Sequence, residues 1–132
     1  MRKILLTFFV LYLAVVTPAS AATGPINTTG SSCGFGITTV SGQKYIYAFA
    51  GTYLNTSDKY RKVFVAVNLS ENGSVVKYAE DTKENDNYAY TTTGNYLYNS
   101  SRTYTCGSIH KVYEGDQIYN HTVASRTYPI TN

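Results

Sequence analysis

Val63, Val65, Val67 and Leu69 alternate with Phe64, Ala66 and Asn68, a period of two that an extended strand satisfies and a helix does not. Three residues further on, Asn72-Gly73 supplies the pair of residues that tolerates positive φ at both central positions of a type I′ hairpin turn. A two-residue turn there sets Glu71 opposite Ser74. Pairing then continues Ser70 with Val75, Leu69 with Val76, Asn68 with Lys77, Val67 with Tyr78, Ala66 with Ala79 and Val65 with Glu80. In this register one face collects the valines, Leu69, Val76 and Tyr78. The other face is the more polar, and Asn68 is expected to point from it to water.

Strand signals recur at short spacing along the chain, and Tyr45, Ile46, Tyr47 and Phe49 suggest a strand buried on both faces. Strand signals are expected at Cys33 to Val40, Lys44 to Ala50, Lys62 to Leu69, Tyr88 to Thr93, Tyr96 to Tyr98, Arg102 to Ile109, Lys111 to Tyr113 and Gln117 to Ala124. Ser41-Gly42, Gly94-Asn95 and Glu114-Gly115-Asp116 punctuate them. Residues 51–59, and the charged run Glu80 to Asp86, read as loops, and the last residues add an edge strand that Pro129 ends. No segment carries an amphipathic helical period. Seven to nine short antiparallel strands predict an all-β domain, a small antiparallel β-sandwich.

The N-terminus reads as a targeting segment. Met1-Arg2-Lys3 precedes the apolar run Ile4 to Val16, and Thr17-Pro18-Ala19-Ser20-Ala21 supplies a small-residue cleavage site. The apolar run is shorter than the roughly 20 residues a bilayer span needs. Residues 1–21 are therefore expected to be a secretory signal peptide, 22–32 a flexible lead-in and 33–132 a single domain, secreted and with no membrane span in the mature chain. Export favours a disulfide between the two cysteines, Cys33 and Cys106. Closing a loop of that length stabilises by about 4 kcal/mol on the chain-entropy account. Tyr104-Thr105-Cys106 places a tyrosine two residues before the second cysteine, which resembles the tyrosine corner of immunoglobulin-like sandwiches and implies a bridge between two sheets.

Of the 11 lysines and arginines, Arg2 and Lys3 leave with the signal peptide, so nine bases face 8 acids and the mature charge is +1. No clustered basic face exists to bind nucleic acid. Six acceptor sequences for N-linked sugar begin at Asn27, Asn55, Asn68, Asn72, Asn99 and Asn120. His110 and His121 flank the hairpin that holds Glu114 and Asp116, yet a zinc centre takes three or four ligands with supporting partners. Both are read as surface histidines of an edge hairpin, and no metal or other cofactor is expected. No serine sits in a nucleophile-elbow sequence and the carboxylates fall in apparent loops, so no enzyme activity is expected.

Tyrosine is the dominant aromatic, with 14 in the chain and no Trp. Tyr88, Tyr90, Tyr96 and Tyr98 alternate on two adjacent strands, and with Tyr53 they are the candidate contact surface; the competing expectation is that half of them fill the core. The chain therefore reads as a secreted, glycosylated binding module for an extracellular protein or glycan. Two alternatives are a structural subunit that self-associates by strand-edge pairing and a secreted effector or antagonist.

Overall fold

The computed structural model describes residues 25–55 and 60–129. The expected signal peptide, residues 22–24 of the expected lead-in, residues 56–59 of the expected loop and residues 130–132 lie outside them. Eight strands are formed: β1 (Cys33–Val40), β2 (Gln43–Tyr53), β3 (Tyr60–Glu71), β4 (Ser74–Asp86), β5 (Tyr88–Thr92), β6 (Tyr96–Leu97), β7 (Tyr104–Glu114) and β8 (Gln117–Tyr128). They make two antiparallel sheets. One has the order β1-β2-β5 with β6 also on β2, and the other has the order β4-β3-β7-β8. Among the described residues there is no helix. The domain is a small all-β sandwich.

Alternation puts Ile46, Ala48, Ala50 and Thr52 of β2 against Val63, Val65, Val67 and Leu69 of β3 in the buried layer between the sheets. Cys33 on β1 and Cys106 on β7 form a disulfide across that layer, with Cα atoms 6.3 Å apart. Tyr104 is fully buried; its hydroxyl accepts from the Asn99 N–H at 2.8 Å and donates to Glu71 Oε2 at 3.1 Å. The upstream backbone contact is that of a tyrosine corner. The order β4-β3-β7-β8 also follows the sheet of variable-type immunoglobulin domains, but the bridge starts on β1, one strand earlier than in that fold.

The Asn72-Gly73 turn is formed with φ of 47° and 85°, the positive values a type I′ turn requires. Asn72 is also pinned from outside, its N–H to Thr103 O at 2.9 Å and its Oδ1 from Thr103 N–H at 3.1 Å. Glu71 faces Ser74 and Ser70 faces Val75 as expected, and then the register slips: Leu69 faces Lys77, Asn68 faces Tyr78 and Val67 faces Ala79. Val76 is the extra residue of a β-bulge, and a one-residue slip reverses the faces of everything beyond it. Val76 and Ala79 pack on the core, and Tyr78 goes to the outer face, where its hydroxyl donates to Glu80.

Several other expectations are corrected. The charged run Glu80 to Asp86 continues β4 and is no loop; it lies on a sheet edge, where charged side chains are tolerated and discourage further pairing. Gly51 to Tyr53 extend β2. Lys111 to Tyr113 belong to one unbroken β7, and Ser125 to Tyr128 lengthen β8. The lead-in is tied down over its described part. Ile26 is buried and bridges Leu54, while the Asn27 N–H and the Ser31 hydroxyl both bond to Tyr53 O.

Candidate aromatic binding face

The outward positions of the β1-β2-β5 sheet follow from its register. Gly34 pairs with Phe49, Gly36 with Tyr47, Gly51 with Tyr90, Tyr53 with Tyr88, and Tyr45 with Leu97 of β6. The inward positions of these two strands include small or aliphatic Ile46, Ala48, Ala50 and Ala89, and the rings of β2 and β5 lie on the outer side. Three glycines decide how those rings lie. A Cβ on Gly36 would stand 2.1 Å from the Tyr47 ring, one on Gly34 2.6 Å from the Phe49 ring and one on Gly51 2.7 Å from the Tyr53 ring. Each ring therefore rests over bare backbone, an approach any larger residue would block.

The rings form a connected group. Tyr53 and Tyr88 have centroids 4.7 Å apart, and Phe49 and Tyr90 6.3 Å. Tyr53, Tyr88 and Tyr90 are 43%, 37% and 42% exposed, high values for rings this large. Burial, then a hydrogen bond to the Tyr53 hydroxyl, pushes the Tyr88 phenol up to about 12. Burial, then the neighbouring Tyr47 and Tyr53, raises that of Tyr90. Both stay protonated and neutral near pH 7. None of the outward positions of these strands is acidic, basic or histidine.

Of the five tyrosines expected at a contact surface, Tyr53, Tyr88 and Tyr90 are brought together there. Tyr96 and Tyr98 are not. β5 and β6 pair with different stretches of β2 and not with each other, and between them Thr93 turns inward, where its Oγ1 accepts the Ala48 N–H at 2.9 Å. Tyr96 then points inward opposite Ile46, and Tyr98 packs on Tyr104 with centroids 5.7 Å apart. Tyr47 and Phe49 also belong to the face: the sequence suggested burial on both sides of β2, and the register instead puts these two rings outside. Their signal was the match of Gly34 and Gly36 to a facing aromatic strand, visible only once the β1–β2 register is known.

The acceptor asparagines divide by exposure. Asn55, Asn72 and Asn99 are exposed, Asn27 and Asn120 half-buried, and none of these five is on the aromatic face. Asn68 is only 4% exposed, and its Oδ1 accepts the Gly107 N–H at 2.8 Å. Asn68 thus meets the backbone of β7 and not water. Sugar on Asn68 is incompatible with this packing.

The histidines are also separated. His121 is exposed, whereas His110 is fully buried, because β7 is flanked by β3 and β8 and is no edge strand. Thr52 Oγ1 donates to Phe64 O at 2.9 Å and so accepts from His110 Nδ1–H at 2.8 Å. Nε2 is then bare and accepts the Ser108 hydroxyl at 2.8 Å. A serine bonded to a histidine is the contact of an activated nucleophile. Here both residues are wholly buried and join the two sheets through Thr52. Burial away from countercharge lowers the His110 pKa from 6.5 to about 4.

No family model and no curated protein matches the chain. Among solved structures, a glycosyl hydrolase family 2 member from Bacteroides cellulosilyticus DSM 14838 superposes with a TM-score of 0.46 at 14% identity, over 76% of this chain and 15% of that one. A protein from Archaeoglobus fulgidus superposes with a TM-score of 0.36 at 10% identity, over 76% of this chain and 96% of that one.

Proposed function

We propose that the protein is an exported, non-enzymatic binding module whose contact surface is the aromatic face of the β1-β2-β5 sheet. The observation that carries this reading is the exposure of Tyr53, Tyr88 and Tyr90 as one contiguous group beside Tyr47 and Phe49. Isolated exposed aromatics are ordinary, but a contiguous apolar patch on a soluble domain usually marks an interaction site. The disulfide supports an oxidising compartment, and sugar at Asn72, in the β3–β4 turn of the other sheet, would leave the face uncovered. The test is retention of the secreted protein on immobilised extracellular proteins and polysaccharides, compared with Tyr53→Ala and Tyr90→Ala variants. Retention of the wild type with loss in both variants supports the reading; equal retention of all three removes it.

A second reading, a self-associating structural subunit, rests on β1. This edge strand holds eight residues with no charge and no proline, and Ile37 and Val40 are exposed on it. Edge strands are ordinarily blunted by such residues. Light scattering separates the readings: concentration-dependent large assemblies favour the subunit, and a constant small mass favours the module.

A further inference from the structure

We infer that the aromatic face takes a linear, uncharged polysaccharide laid along β2; this rests on the binding-module reading above. Charge selects the class first. The outward positions of β1, β2, β5 and β6 are aromatic, glycine, threonine, Gln43, Val40 and Leu97, with no acidic, basic or histidine side chain among them. The other sheet, by contrast, carries Lys62, Glu80, Glu84, Lys111 and His121 at matching outward positions. A polyanion, an acidic glycan or a cationic peptide finds no countercharge on the aromatic face. A neutral occupant needs none.

Shape separates a glycan from a protein. Tyr45, Tyr47, Phe49 and Tyr53 occupy one side of β2 across eight residue steps, a strip about 27 Å long at the rise of a strand. Its width is that of three strands, roughly 14 Å. The resulting area, roughly 400 Å², is half of the ~800 Å² that each partner contributes to a standard protein interface. It is long enough for several sugar units in a row.

Ring geometry supplies the recognition. Gly34, Gly36 and Gly51 let the Phe49, Tyr47 and Tyr53 rings rest over bare backbone on the outer side, and the faces of such rings carry negative charge. The polarised C–H bonds on the flat side of a pyranose stack on such faces, while equatorial hydroxyls reach sideways. The hydroxyls of Tyr53, Tyr88 and Tyr90 offer donors and acceptors at that level.

The test uses the purified disulfide-bonded protein. Insoluble cellulose and chitin are used for depletion binding, soluble xylan and starch for affinity electrophoresis, and pectate and dextran sulfate as charged counterparts. The expected result is retention by at least one neutral polymer, unchanged at high salt because no ion pair is involved. Tyr53→Ala and Tyr90→Ala each weaken it about tenfold or more, equivalent to about 1.4 kcal/mol. Tyr90→Phe keeps stacking and loses less. Tyr119→Ala, an exposed tyrosine of the other sheet, changes nothing. Far-ultraviolet circular dichroism verifies that each variant folds. Retention by no neutral polymer, or preference for a charged one with release by salt, overturns the inference. Retention on immobilised proteins alone, lost in the Tyr53 and Tyr90 variants, overturns the glycan while leaving the binding module standing. Insensitivity of all retention to both variants overturns the two together.

Discussion

Acidifying the solution should weaken the domain through His110 in particular, and the size of the effect follows from its surroundings. The imidazole is held neutral between Thr52 and Ser108, with Val63, Val65 and Val112 in the same buried layer and no carboxylate hydrogen-bonded to it. Its pKa is about 4 in the folded chain against 6.5 in an ordinary environment. Between those values the unfolded chain binds the proton and the folded chain does not, so stability rises with pH across that window. The contribution is fully present above pH 6.5 and is lost as pH falls toward 4. The difference of two to three pKa units amounts to about 3 kcal/mol in total, and about 2 kcal/mol of it is gone by pH 4.5. Urea unfolding of wild type and His110→Gln at pH 7 and pH 4.5 reads the term directly. For a domain of this size a loss of 2 kcal/mol moves the urea midpoint by about 1–2 M. The glutamine variant retains hydrogen-bonding groups but does not titrate, so it should show the smaller drop that the remaining groups cause. Equal acid shifts in both proteins would refute the reasoning. So would an NMR titration that places the His110 midpoint near 6.5.

The same packing yields four further expectations. Replacing Cys33 and Cys106 by serine should cost about 4 kcal/mol, read as a lower denaturation midpoint, with the wild type falling to the same value under reductant. Tyr104→Phe strips the acceptor from the Asn99 N–H and the donor from Glu71, and should cost about 1–2 kcal/mol in chemical unfolding with no change in fold. Gly36→Ala must lift the Tyr47 ring off the sheet; with no Trp in the chain, near-ultraviolet dichroism reports the tyrosines, and its signal should change. Expression in a glycosylating host, followed by peptide mass mapping, should find Asn68 unmodified in the folded product, whatever the occupancy of Asn55, Asn72 and Asn99.

The fold was legible where local chemistry repeats. Strand-forming composition marked β1 and β2, alternation marked β3 and β5, and Asn72-Gly73 announced its own turn, because these signals are local to the strand or hairpin concerned. The spacing of Tyr104 and Cys106 likewise anticipated both the buried hydroxyl and the bridge between sheets. What escaped depended on neighbours distant in sequence. Nothing near Val76 announces the bulge that reverses Tyr78, and the burial of Asn68 depends on β7, whose Gly107 N–H its side chain accepts. Whether His110 lies at an edge or in the interior is decided by β3, some forty residues away along the chain, pairing with the other side of β7. The candidate site was legible in part for the same reason. Exposed tyrosines could be nominated strand by strand, but the glycine floor under Tyr47, Phe49 and Tyr53 exists only between paired strands or along one folded strand.

The position of the disulfide has a mechanical consequence. Tension applied to the chain outside the two cysteines passes from Cys33 straight to Cys106 through a covalent bond. The segment Gly34–Thr105 is thereby bypassed and cannot be drawn out while the bond stands, and every ring of the aromatic face, from Tyr45 to Tyr90, lies within it. Under load the chain beyond Cys106 can yield first, by peeling β8 from the rim of its sheet. A tethered copy of this protein would stretch like a strap while its aromatic face kept its shape.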